Sequence, residues 1–565
     1  MVTFLRKLRS AIPFLVIFGA FVWAAASIAS RRVVETSPDV ITIRIAHWQL
    51  EAGVREAFTV MAEEYRKIHP NVRVLQDVIP EGTYPQWAST QLIGGTAPDA
   101  IEVWMGLTNA IWVSYLNRYF ERLTPLVSKP NPYNRGTDIE HVPFRQTYLD
   151  GMRGSYVEQM QEYMLIPLAQ TAVRIFYNRE LLKKLTGLDA PPTEYRAFLK
   201  VCEQIAAARD ASGSHYTPIA ASSYNFGMWD DSMFNVPSYG AVRKADFNRD
   251  GYVGNDEMFV AFQSGRLNLH FPNFVTRFKM MSEVSAYFPH GYIGLNRDDA
   301  LFLFAQQKSV FMTTGTWDAL SLQAQTEGQF SVGVMDFPIP SRDDPEYGPT
   351  IDGPRYERPS TAFSFGVTRF SKHPEVMIDF LQFCASRENN QKLNALIGWI
   401  PAIEGAKIDP FLTGFKPRLN GVYPSMEMIL GGETNVTWSQ LFSAYQVGQI
   451  TFDEFARQWE AKYKVDGRKD FDEQQRDWRR GILNDEQFLA GVRATALMAS
   501  GPEADARWVK YRALTAGRQV GPEIGHAIQL KLVNDGPDPN APGPYEYSKE
   551  VLAKIKARLT SDRAN

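Results

Sequence analysis

The sequence predicts an α/β fold with a parallel sheet, followed by a helical C-terminal region. Three observations carry this. Residues 41–103 alternate strand and helix patterns in the order β-α-β-α-β, which calls for parallel pairing with ligand groups gathered beyond the strand C-termini. The stretch Leu301 to Trp317, LFLFAQQKSVFMTTGTW, passes from an amphipathic helix end into a short apolar strand that breaks on Thr313-Thr314-Gly315-Thr316. Trp317 and Asp318 therefore stand at a strand end, where an α/β cleft lies. Beyond residue 465 the patterning is helical.

Taken in order, Ile41 to Ala46 alternates as a strand with His47-Trp48 at its end. From Val54 to His69 the apolar positions Phe58, Val60, Met61 and Tyr65 recur at helical spacing, and Pro70 closes the helix. Asn71 to Val78 is a second strand. Tyr84 to Leu92 is a helix stopped by Gly94-Gly95, and Ala100 to Val103 is a third strand carrying Trp104. Trp48, Glu51, Glu102 and Trp104 all fall at strand ends.

A formal charge of -3 over 565 residues gives no electrostatic footprint for nucleic acid. Twelve Trp, 24 Tyr and 35 Phe leave flat rings beyond what cores require. The two cysteines, Cys202 and Cys384, have no CxxC or Cys/His spacing and read as buried small hydrophobes, with a single bridge between them left open. At the N-terminus, Arg6, Lys7 and Arg9 (n-region 1–10, cytoplasmic) precede an uncharged run, Ala11 to Ser30, long enough to span a ~30 Å hydrocarbon core. It reads as a signal peptide ending at Ser27-Ile28-Ala29 or as a retained membrane anchor. Either way the body is exported, periplasmic or on the cell surface.

Further motifs follow: Tyr163-Met164-Leu165-Ile166-Pro167, then Thr171-Ala172-Val173-Arg174-Ile175-Phe176-Tyr177-Asn178, then Leu181-Leu182-Lys183-Lys184. Gly315-Thr316-Trp317, Phe337-Pro338-Ile339-Pro340, Lys372-His373-Pro374-Glu375 and Gly398-Trp399-Ile400-Pro401 complete the set. In this order, over roughly residues 40 to 460, they resemble the family 1 extracellular solute-binding proteins, the sugar-binding subunit class of ABC importers. The resemblance implies a two-lobed, type II-like binding-protein fold with a hinge. It places lobe one at 40–150 and 308–368, and lobe two at 151–307 and 369–464. It also implies a carbohydrate held between the lobes and delivered to ABC permease subunits, with no catalysis.

Two features depart from that family. Asp246 to Glu257, DFNRDGYVGNDE, places Asp246, Asn248, Asp250, Tyr252 and Glu257 at positions 1, 3, 5, 7 and 12 of an EF-hand loop, with Gly251 at position 6. It resembles a dockerin-type calcium loop, inserted at 240–265 to brace lobe two. The other is the extension 465–565. Helical segments are expected at Asp470 to Leu483 and Asp485 to Met498, then a Pro/Gly-rich linker at 536–544 and a basic amphipathic helix at Lys549 to Leu559.

A pyranose offers an apolar C–H face and a rim of hydroxyls, which call for aromatic faces and polar side chains. The candidates are Trp48, Glu51, Tyr84, Trp104, Gln170, Trp229, Trp317, Asp318 and Trp399. There is no HExxH, GxSxG, GxxxxGK[ST] or GxGxxG, so a glycan-processing enzyme has no motif behind it. A membrane-tethered sugar sensor or scaffold acting through the extension is the alternative.

Overall fold

The computed structural model describes residues 40–535 apart from 51–52, 104–109, 158–159, 248–252, 358–359, 419–420 and 422–427. Among the described residues two main sheets organise the chain. The first has five strands in the order β2-β1-β3-β11-β6: β1 (Ile41–His47), β2 (Val72–Val78), β3 (Ala100–Glu102), β6 (Ile166–Thr171) and β11 (Ser360–Val367). The expected parallel unit is present, with β1 parallel to both β2 and β3, while β11 runs antiparallel to β3 and β6. A short hairpin, β4 (Tyr156–Val157) and β5 (Glu162–Tyr163), lies beside this sheet.

The second sheet has four strands in the order β10-β7-β9-β8: β7 (Val173–Asn178), β8 (Thr217–Ala220), β9 (Ser309–Gly315) and β10 (Val332–Met335). The fold is therefore α/β and two-lobed. The expected lobe limits need correction, however. Strands β9 and β10, within the 308–368 assigned to lobe one, belong to the second sheet, and β6, within 151–307, belongs to the first. Helices α7 (Pro374–Cys384) and α8 (Arg387–Ile397), assigned to lobe two, pack on the first sheet through Met377, Phe380, Leu381 and Leu393. The chain returns to each lobe more often than a linear division foresees.

Local sequence explains the elements nearest the cleft. Helix α1 (Val54–Ile68) buries Phe58, Met61 and Tyr65 on one face against the first sheet. Helix α2 (Tyr84–Gly94) covers the opposite face through Tyr84, Ala88 and Leu92, and Gly95 at φ +69° ends it in a left-handed cap. Helix α3 (Arg179–Thr186) opens on Asn178, whose side chain accepts a hydrogen bond from the Leu181 N–H. Helix α4 (Ser223–Trp229) opens on Ser222 in the same way, accepting from Asn225. Cys202 and Cys384 are both free and buried, one in the core of each lobe, so no bridge joins them.

In the second lobe, α5 (Asn255–Gln263) enters the core with Met258, Phe259 and Val260, and α6 (Arg297–Ala305) leads into β9. Helix α9 (Gly432–Gln446) pairs with α10 (Phe452–Met498), a single helix of 47 residues. Two helices were expected over the second half of this stretch. The backbone instead continues unbroken through Gly481 and Asn484, because α11 (Pro502–Thr515) folds back along it and α12 (Gly521–Asp535) follows. Residues 1–39 and 536–565, with the signal or anchor, the linker and the basic helix, lie outside the described residues. No helix among the described residues is long and apolar enough to cross a membrane.

His47 ends β1 fully buried, its ring stacked 5.5 Å from Phe58 and its Nε2 3.2 Å from Gln76 Oε1. Burial pushes its pKa down to about 4. The unfolded chain therefore binds a proton that the folded chain refuses, so stability falls as pH drops from about 6.5 to about 4 and this contribution levels off below. The His47 share of that loss is about 3 kcal/mol. Urea denaturation of His47→Leu across this range should show a pH slope shallower than that of the native chain by about that amount.

Candidate functional site

Between the sheets lie two adjoining cavities that share Thr171, Tyr224 and Trp317. One, of about 420 Å³, is lined by the crossing strand (Gln170 to Arg174), one face of α4 and its continuation (Tyr224, Asp231), and Arg355 and Glu357. The other, of about 270 Å³, has Trp48, Glu102, Phe363 and Trp399 from the first lobe and Tyr224 and Arg297 from the second. Trp317 stands between them. Its ring lies over Gly315, where an added Cβ would fall 2.2 Å from the indole, so a residue without a side chain is required beneath it.

The polar complement is as telling as the rings. Gln170 is only 2% exposed, and both ends of its amide lack a partner within the protein. The indole N–H groups of Trp317 and Trp399 are likewise buried without an acceptor. A buried donor or acceptor left unsatisfied costs about 1–3 kcal/mol, so such groups at a cavity wall favour a polar guest. Burial, and next to it the neighbouring Asp230 charge, shift the Asp231 carboxyl up from its ordinary value.

Several expected residues act one step back from the cavity. Tyr84 is buried, and its hydroxyl donates to the Glu102 carbonyl at 2.8 Å; its ring packs 4.9 Å from Trp48, edge to face. Tyr84 thus props Trp48 instead of facing the guest. Glu102 does line the smaller cavity, and its carboxylate accepts from Gln49 Nε2 at 2.7 Å, fixing the segment that carries Trp48. Asp318 is buried and taken up by Arg297 and the Thr314 hydroxyl, so it anchors the turn that presents Trp317. Trp229 is a correction of a different kind. It is fully buried among Phe198, Phe234, Phe288 and Phe337, deep in the second lobe. The segment expected to be a loop is helical, and its phase sends Trp229 inward while Tyr224, Gly227, Met228 and Asp231 take the cleft side. Trp48, Gln170, Trp317 and Trp399 do line the cleft; Glu51 and Trp104 lie outside the described residues.

The residue that sequence reasoning missed is Arg174. It is 3% exposed and makes a two-pronged pair with Glu357, Nη1 to Oε1 at 2.9 Å and Nη2 to Oε2 at 2.8 Å. It also donates to the carbonyls of Gly414 at 2.9 Å and Lys416 at 3.0 Å. The Arg418 N–H completes the set on Glu357 at 2.9 Å. One guanidinium therefore ties together three passages between the sheets: β6 to β7 through Ala172, β10 to β11 past Glu357, and the strand-free run through 414–418.

At the calcium motif, Asp246 and Glu257 are both buried at the loop ends, and Glu257 accepts from the Phe247 N–H at 2.9 Å and the Gly254 N–H at 3.3 Å. Asn248, Asp250 and Tyr252 lie outside the described residues. Among the described residues no group of three or more His, Cys, Asp or Glu is placed to hold a metal.

Two sheets joined at a tied hinge, with a lined cleft between them, define a two-lobed binding protein. Residues 60–413, more than half of the chain, match the family of bacterial extracellular solute-binding proteins, and the chain belongs to that family. An uncharacterised ABC transporter extracellular-binding protein of Pyrococcus horikoshii is 20% identical over 381 residues, 65% of this chain and 73% of that one. The multiple sugar-binding protein of Streptococcus mutans is 22% identical over 315 residues, 54% of this chain and 64% of its own length. Among solved structures, a chitin oligosaccharide binding protein superposes with a TM-score of 0.53 at 13% identity, covering 76% of this chain and all of that one.

Removing one partner of the hinge pair strands the other in a buried place. Arg174→Met should cost about 3 kcal/mol in urea denaturation, and Glu357→Gln, which keeps acceptors for part of the network, should cost less.

Proposed function

We propose that this chain captures a carbohydrate in the cleft for an ABC transporter and carries out no chemistry on it. The observation that supports this most is the pairing of partly exposed indoles with buried, unpartnered polar groups along the two adjoining cavities: Trp48 and Trp317 offer flat faces, and Gln170, Trp317 and Trp399 offer amide and N–H groups. A sugar ring presents the complementary surfaces, an apolar face and a hydroxyl rim. The names of its relatives, which include a multiple sugar-binding protein and a chitin oligosaccharide binding protein, point the same way. ABC permease subunits are the expected partners, and an exported location follows from the same reading.

A thermal-shift screen of raffinose, maltotriose and chito-oligosaccharides should find at least one that raises Tm without being consumed. For that sugar, Trp317→Ala should weaken binding by at least tenfold in calorimetry with the melting temperature of the free protein little changed. Stabilisation by none of them, or turnover of an aryl-glycoside, would refute the reading.

We propose further that the loop Asp246 to Glu257 holds calcium, on the strength of its ligand spacing and the burial of its two end carboxylates. Tb³⁺ luminescence excited through nearby aromatic rings, displaced by Ca²⁺, should be seen with the native chain and lost in Asp250→Ala.

A further inference from the structure

The extension is rooted on the second lobe. Along α10, Trp459 is fully buried, its ring 4.9 Å from Trp438, and Phe471 lies 5.2 Å from Phe259 of α5. Helix α12 returns to the same place, where Gln529 Nε2 donates to Asp256 at 2.7 Å, and its His526 ring sits 4.6 Å from Trp478 of α10. Helix α11 is held along α10 by Arg507, which donates to the Thr495 carbonyl at 3.1 Å, and buries Leu514 in the bundle.

From this bundle a side chain reaches the other lobe. Lys510 of α11 forms an ion pair with Glu162 of β5, 348 positions away in sequence. Glu162 belongs to the first lobe: its carboxylate also accepts from the Thr124 hydroxyl, and the hairpin around it packs with Val157, Met160 and Met164 against Ile101 and Phe120. The carboxylate is 8% exposed and the Lys510 side chain 29%, so solvent screens this pair far less than a surface one. Arg122 also pairs with Glu162, at the longer distance of 3.8 Å. The extension thus links the lobes independently of the hinge, in the conformation where Trp48 and Trp399 of one lobe face Tyr224 and Arg297 of the other across a single cavity.

We propose that the C-terminal three-helix bundle is an interlobe strap, fixed to the second lobe and latched to the first by Lys510 and Glu162, which raises the share of molecules with the cleft drawn together. Any guest that binds the drawn-together form gains apparent affinity in proportion to that share. The latch acts on the lobes themselves, so it holds whatever the guest turns out to be.

The test reads the lobes directly. In the full chain, Ile93→Cys on α2 and Lys184→Cys on α3 place spin labels on exposed sites of the two lobes, the native thiols being buried. Pulsed electron resonance on the sugar-free protein should give one dominant distance. Lys510→Ala should add a longer one, with the ratio of short to long falling about tenfold, as expected for loss of a charge-assisted hydrogen bond. Glu162→Gln should do the same, the two changes together should add nothing further, and Lys510→Arg should keep the native distribution. Lys469→Ala removes two ion pairs, to Glu433 and Asp466, within the second lobe's side and should also leave the distances as they are. An unchanged distribution in Lys510→Ala, or equal broadening in Lys469→Ala, would overturn the proposal.

Discussion

The cleft depends on a single buried guanidinium. Arg174 sits two residues past Ala172, where the chain leaves one sheet for the other, and its five hydrogen bonds leave little of its donor capacity unused. Burying such a charge is tolerable only because Glu357 meets it with two prongs and because the carbonyls of Val173, Gly414 and Lys416 take up the remaining donors. With three passages tied at one point, sliding one sheet past the other would break these bonds together. The same stretch carries Gln170 on one side and abuts Trp317 on the other, so hinge and binding wall are built from shared backbone.

Around that pivot, most of the conspicuous residues hold others in place. Tyr84 and Glu102 prop Trp48; Asp318, Arg297 and Thr314 prop Trp317; Gly315 leaves the space its ring needs. The surfaces offered to a guest are consequently few and stiff. A stiff wall loses little side-chain entropy when it is occupied, which favours binding by preformed surfaces.

The parts legible in the sequence were those set by local pattern. The β-α-β-α-β unit is marked by residue spacing alone, and Trp48 and Trp317 are found because strand ends and small-residue turns point to an α/β cleft, while Gln170 and Trp399 stand in or beside motifs that resemble the family's. Trp229 misled because a one-residue change of helical phase separates a core ring from a cleft ring, and Ser, Tyr and Asn in the segment suggested a loop where a helix forms. The lobe limits were missed because strands β9 and β10 join the second sheet while α7 and α8 go to the first, a choice made by packing and invisible to linear order. Arg174 and Glu357 are 183 residues apart, and no local signal joins them.

The placement of the two cysteines has a consequence of its own. Cys202 sits in one core and Cys384 in the other, each with its thiol pushed up in pKa by burial. Neither core needs an oxidant to close, so maturation outside the cytoplasm can proceed without a disulfide catalyst. Each thiol also becomes reactive only when its own half of the molecule comes apart, which makes the pair a built-in register of which half yields first under heat or denaturant.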